Sequence, residues 1–178
     1  MLEVKALLFD VFGTVVDWRT GIAKDVQKIA KKNNIFLNAE DFADAWRAEY
    51  QPAMEEIRNG ERDFTILDIL HLENLKKIAP RFDLNNLTND DLNFLVTAWH
   101  RLPGWSDTSQ GLNKLKKKFI LATQSNGNIA LMVNMAKYSN LNWDVILGAE
   151  VVGHYKPEPE AYLKACEALN LNPSECLM

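Results

Sequence analysis

The stretch Leu7-Leu8-Phe9-Asp10-Val11-Phe12-Gly13-Thr14 decides how this chain is read. It is an apolar run that stops at an aspartate, followed by a glycine turn and a threonine. A short continuous apolar run, here Val4 to Phe9, suits a strand buried on both faces of a parallel sheet. Ligands of open parallel sheets bind beyond the carboxyl ends of the strands, where Asp10 would lie. An acid at the mouth of a buried strand is a candidate nucleophile. The residue two places on limits its chemistry: a second acid there could share a magnesium ion and protonate a leaving oxygen, and Phe12 can do neither.

Outward from this stretch the periodicity changes. Ile22-Val26-Ile29-Ala30, Phe42-Ala45-Trp46, Ile66-Leu67-Ile69-Leu70 and Leu92-Leu95-Val96-Trp99 repeat at three- and four-residue spacing, which predicts amphipathic helices. Breaks fall at Asn33-Asn34, Asn59-Gly60, Pro80 and the stretch from Asn85 to Asp91, where Thr88-Asn89-Asp90-Asp91 reads as a helix start. After Leu102-Pro103-Gly104 the alternation of sheet and helix resumes. It predicts helices over Leu112–Lys118, Ile129–Tyr138 and Pro159–Leu169, and strands over Phe119–Thr123 and Val145–Leu147, with Cys176-Leu177-Met178 opening another strand. The expected fold is α/β: a Rossmann-like parallel-sheet core, residues 1–16 and 103–178, interrupted by a helical cap over 17–102. A cap closing over Asp10 would exclude water and strengthen electrostatic interactions there.

Composition narrows the function classes. The chain has 178 residues, of which 47% are apolar, enough for a real core. A net charge of −4, with Lys114 and Lys116–Lys118 as the one basic cluster of note, argues against a nucleic-acid partner. That cluster reads as a solvated helix end complementing the helix dipole. Cys166 and Cys176 lack a histidine partner and suggest neither a zinc site nor a disulfide framework, so a reducing cytoplasm fits best. The apolar run from Ala6 stops at Asp10, too short for a membrane span, and no membrane partner is expected.

Phe9-Asp10-Val11-Phe12-Gly13-Thr14, then Ser125-Asn126 after a later strand, then Lys156-Pro157 before a later helix, resemble in order and spacing the haloacid dehalogenase superfamily. Phe12, the Trp46-Arg47 pair, and Lys156-Pro157-Glu158-Pro159-Glu160-Ala161-Tyr162 resemble its 2-haloacid dehalogenase branch more than its phosphatases. The resemblance covers nearly the whole chain. It implies a small halocarboxylate substrate, no cofactor, no bound metal, and pairing of two copies into a homodimer.

Each candidate residue also has a plainer reading. Asp10 would displace halide from carbon and form an ester that water then cleaves; otherwise it is a turn-forming aspartate. Thr14 could donate to the Asp10 carboxylate or simply cap the segment after Gly13. Ser125-Asn126-Gly127 could present backbone N–H groups to a carboxylate at a helix start, or be an ordinary cap. Lys156 would set a fixed positive charge beside Asp10. Arg47, on the predicted cap, would bind the departing halide or the substrate carboxylate, or else pair with Asp44 or Glu49. Phe12 and Phe64 are expected to line the apolar part of the pocket, with cap-core packing an equal reading for Phe64. Tyr162 could contact the site or pack. His71, His100 and His154 form no constellation and read as packed or surface residues.

The family pattern continues with one more strand and a loop whose aspartate serves the hydrolytic water, and the chain ends at Met178, inside that strand. The expectation is a shortened form of an active enzyme, with a naturally short homologue as the rival reading, able to form the ester and lacking the loop that helps cleave it. The leading expectation is hydrolysis of a short 2-haloacid to a 2-hydroxy acid. A phosphatase acting on a small phosphate ester and a non-catalytic binding or dimerising homologue are the alternatives.

Overall fold

The computed structural model describes residues 3–178. Among these, three strands, β1 (Ala6–Phe9), β2 (Ile120–Thr123) and β3 (Cys176–Leu177), form a parallel sheet in the order β2-β1-β3. Ala6 pairs with Ile120 on one side and Cys176 on the other, so β1 is the central strand. Its Ala6 and Leu8 are buried and Leu7 and Phe9 half-buried, as expected of a strand covered on both faces. Because all three strands run the same way, the residues leaving β1 and β2, Asp10 and Gln124, emerge at one edge. The Gln124 amide donates to the Phe9 carbonyl at 2.7 Å and ties the two exits together.

Between β1 and β2 the chain is helical. It forms α1 (Trp18–Lys32), α2 (Ala39–Ala48), α3 (Tyr50–Arg58), α4 (Leu67–Ile78) and α5 (Asn89–Val96), with 3-10 turns over Ala79–Phe82 and Thr97–Arg101. Asp17 and Asn38 cap α1 and α2 by accepting from first-turn amides. Thr88 and Asp91 close a reciprocal capping box on α5, the start read from the sequence. Gly21 in α1 is a packing requirement: a Cβ there would meet the Pro103 Cδ at 2.8 Å, where the returning chain crosses the helix.

The second half holds α6 (Thr108–Leu115), α7 (Ile129–Tyr138), the short α8 (Ala149–Val152) and α9 (Pro159–Ala168). α6 lies about a turn earlier than expected, leaving Lys117 and Lys118 in the turn before β2. Val145–Leu147, expected as a strand, makes a single bridge, Val145 to Ala122. Beyond that bridge the Thr123 hydroxyl replaces the ladder, accepting from the Leu147 amide at 2.9 Å and donating to its carbonyl at 3.1 Å. A large apolar core runs beneath both halves, joining Trp46, Phe42, Leu70 and Trp99 of the helical section to Leu121 of β2 and Met132 and Met135 of α7, and a smaller separate cluster holds Leu8, Ala122, Leu147, Ala165 and Cys166. No helix among the described residues is long and apolar enough to cross a membrane.

Candidate active site

Asp10 leaves β1 into a tight turn in which Gly13 adopts φ +91°, a conformation that favours glycine. The turn brings Thr14 back so that its hydroxyl donates to Asp10 Oδ2 at 2.8 Å. Lys156, far along the chain between α8 and α9, donates its Nζ to Asp10 Oδ1 at 2.7 Å. Both carboxylate oxygens are thereby held. The lysine is fixed in turn: its backbone amide donates to Asn126 Oδ1 at 2.8 Å, and its carbonyl accepts from Arg58 Nη1 of α3 at 3.1 Å. Tyr155, next to it, donates its hydroxyl to the Thr65 carbonyl at 2.6 Å, and burial raises that hydroxyl above its ordinary pKa.

These groups open onto a pocket of about 320 Å³ lined by Asp10, Phe12, Arg47, Asn126, Lys156 and Tyr162, all foreseen from the sequence, together with Tyr50, Gln51 and Pro157, which were not. Arg47 has neither of the carboxylate partners considered for it: Asp44 pairs with Arg19 and Glu49 with Lys77. Its guanidinium lies instead over the Tyr50 ring, Cζ 3.8 Å from the centroid, with Trp18 at 5.6 Å and Phe12 at 6.0 Å. Its Nη1 is buried and donates to no protein group. A buried charged donor left unpaired is costly, so the arrangement is suited to an anion. Burial raises the Tyr50 hydroxyl above its usual pKa, against the pull of the Arg47 charge, leaving a neutral ring under the cation.

Two foreseen residues stand elsewhere. Phe64 packs on Tyr155, ring centroids 5.3 Å apart, and does not line this pocket. Ser125 is buried behind it, its hydroxyl accepting from the Gly127 amide at 3.2 Å. The helix-start reading of this loop also changes. The first amide of α7, Ile129 N, donates to Glu150 at 2.7 Å, so that amide is already taken by an acid of the chain. The amides of Ser125 and Asn126 donate to no protein acceptor among the described residues. Of the missed residues, Tyr50 carried a signal, three positions after Arg47; Trp18 carried none, since only tertiary packing brings α1 to α2.

Two of the histidines, His71 and His100, are buried, and His154 is half-exposed. His71 is stacked on Trp99, ring centroids 4.2 Å apart, with both nitrogens unpartnered; burial pushes its pKa down to about 3. His100 bonds Asp68 at 2.9 Å, and His154 bonds Glu158 at 3.1 Å. A larger cleft of about 690 Å³, lined by Lys24, Lys28, Lys31 and Phe36, holds none of the candidate residues.

Comparison with known proteins gives this geometry its context. The family model for haloacid dehalogenase-like hydrolases matches residues 4–178. The fold superposes on the defluorinating L-2-haloacid dehalogenase Rha0230 with a TM-score of 0.94 at 46% identity, covering 97% of this chain and 71% of that one. It superposes on the L-2-haloacid dehalogenase PA0810 with a TM-score of 0.92 at 42% identity, covering 97% and 74%. In sequence it is 29% identical to (S)-2-haloacid dehalogenase 1 of Pseudomonas sp. (strain CBS-3), over 98% of this chain and 75% of that protein. With a match along nearly its whole length and this degree of identity, the chain belongs to the haloacid dehalogenase-like hydrolases, in the 2-haloacid dehalogenase branch.

Proposed function

We propose that this chain carries out hydrolytic dehalogenation of a short (S)-2-haloacid, with inversion at the carbon bearing the halogen. An Asp10 oxygen attacks that carbon, the carbon–halogen bond breaks, and halide leaves with the bonding pair. Water then cleaves the resulting ester, restoring the Asp10 carboxylate and releasing the 2-hydroxy acid and a proton. The observation that carries this reading is one small pocket containing both a carboxylate held by Lys156 and Thr14 and an unpartnered guanidinium walled by aromatic rings. In these roles Asp10 is the nucleophile, Thr14 and Lys156 orient it, and Arg47 receives the halide. Phe12 and Tyr162 bound the substrate, and the Ser125-Asn126 loop offers its two amides to the carboxylate. The helices over 17–102 act as the cap.

The identity to a defluorinating relative extends the proposed leaving groups to fluoride. Halide release from 2-chloropropionate and 2-fluoropropionate, read with mass spectrometry of the Asp10 peptide, tests the reading. Halide release together with an ester on Asp10 is expected for the wild type, and neither for Asp10→Asn. Phosphate release dependent on magnesium, without halide release, would overturn it in favour of a phosphatase; reversible substrate binding with no ester would favour a binding module. We also propose a homodimer in a reducing cytoplasm. The dimer rests on family resemblance alone, and sedimentation showing a single 20.3 kDa chain would refute it. Cys166 and Cys176 are free thiols, in keeping with that compartment.

A further inference from the structure

Asn128 occupies the N-cap of α7, where an asparagine side chain ordinarily accepts from the first-turn amides. Here it makes no such cap bond. Its Nδ2 instead donates to Asp68 Oδ2 at 2.9 Å, and its Oδ1 accepts from the Asp68 backbone amide at 3.2 Å. Asp68 stands in the first turn of α4, in the helical section, so this two-point contact crosses from that section to the loop after β2. At the helix end left by Asn128, Glu150 accepts from the Ile129 amide at 2.7 Å. The other Asp68 oxygen bonds His100 Nε2 at 2.9 Å, and His100 Nδ1 bonds Asn134 of α7 at 2.9 Å. A carboxylate can only accept, so His100 carries its proton on Nε2 toward Asp68. Burial works to raise the Asp68 carboxyl, and the bonds from His100 and Asn128 outweigh it, leaving it below its ordinary pKa.

The loop from Gln124 to Asn128 is also pinned from within the sheet domain. Gln124 bonds Phe9 and Ala161, and Asn126 accepts from the Lys156 amide. Across to the helical section, Asn126 makes a 3.4 Å contact from its Nδ2 to the Met54 sulfur, a weak acceptor. We propose that Asp68 is a positioning residue: through Asn128 it sets the loop that carries the Ser125 and Asn126 amides, so that the carboxylate cradle is in register only when the helical section is seated on it. This rests on the proposed reading of that loop as the carboxylate cradle.

The experiment compares wild type, Asp68→Ala, Asp68→Asn and Asn128→Ser as full chains. It reads steady-state halide release from 2-chloropropionate and amide hydrogen exchange across residues 124–128 without substrate. Losing hydrogen bonds to a charged group is expected to speed exchange in the loop by about tenfold and raise KM about tenfold, with kcat within about twofold of wild type. Asp68→Asn should recover most of both, since an amide oxygen can still accept from Asn128 while its NH2 donates to the other tautomer of His100. Asn128→Ser breaks the same contact yet restores a good helix cap, so it separates loop position from stability and serves if Asp68→Ala does not fold. Wild-type exchange in the loop of Asp68→Ala and Asn128→Ser, a loss confined to kcat, or no rescue by Asp68→Asn would overturn the proposal. If the wild type releases no halide, the dehalogenase reading falls, and the exchange comparison alone decides the role of Asp68.

Discussion

Lys156 and Arg47 are both cations at one pocket, and their surroundings differ. Lys156 is spoken for by Asp10, while Arg47 rests on the Tyr50 face with a buried nitrogen unpartnered. A guanidinium suits that place because it is flat enough to stack and keeps donors in its plane for an anion. Arg47→Lys retains the charge and loses both features. It is expected to lower kcat for halide release by about a hundredfold, the scale seen when one oriented donor to developing charge is removed. A rate within twofold of wild type would show that charge alone suffices.

Among the elements, α5 offers the clearest test of local design. Asp91 accepts from the Thr88 amide and hydroxyl and from Lys32 Nζ at 2.7 Å, binding the helix start to α1. Thr88→Ala removes half of the capping box and should cost about 1 kcal/mol in urea denaturation, with halide release unchanged. This start was legible from Thr88-Asn89-Asp90-Asp91, and α7 was legible to the residue from its apolar spacing, because caps and periodicity are local. Asp10, Phe12, Arg47, Asn126, Lys156 and Tyr162, which line one pocket, were legible because their motifs follow strands or lie on helices that face it. What the sequence could not show depends on distant partners. The Thr123 hydroxyl replaces a ladder at Leu147, Glu150 takes the first amide of α7, and Tyr155 draws Phe64 away from the pocket wall. Each is a tertiary contact that overrides a sound local reading.

For the whole molecule, the apolar core shared by the two halves predicts a single unfolding transition by fluorescence and circular dichroism, because the large cluster spans both and only a small one, around Leu8, Ala122 and Ala165, lies within the sheet half. Part of its pH dependence follows from His71. Folded, the imidazole stays neutral until about pH 3, whereas in the unfolded chain it takes up a proton near 6.5. Between these values the unfolded state binds more protons, so stability falls as pH falls, by about 2 kcal/mol from pH 7 to 5 for this group alone. His71→Phe keeps the stack on Trp99 and should remove that part of the acid loss. Equal losses in the two proteins, measured by urea denaturation at pH 7 and 5, would show that His71 is not its source.

The contrast between the two cations also sets how charge travels during the proposed reaction. Attack turns the Asp10 carboxylate into a neutral ester, and the negative charge reappears on the halide beside Arg47. The first step therefore ferries one charge from the ammonium to the guanidinium and exchanges their conditions: Arg47 becomes the paired cation and Lys156 the solitary one. An ammonium newly stripped of its counter-charge, at hydrogen-bond distance from the acylated side chain, draws toward the ester the electron-rich oxygen of the water that must cleave it.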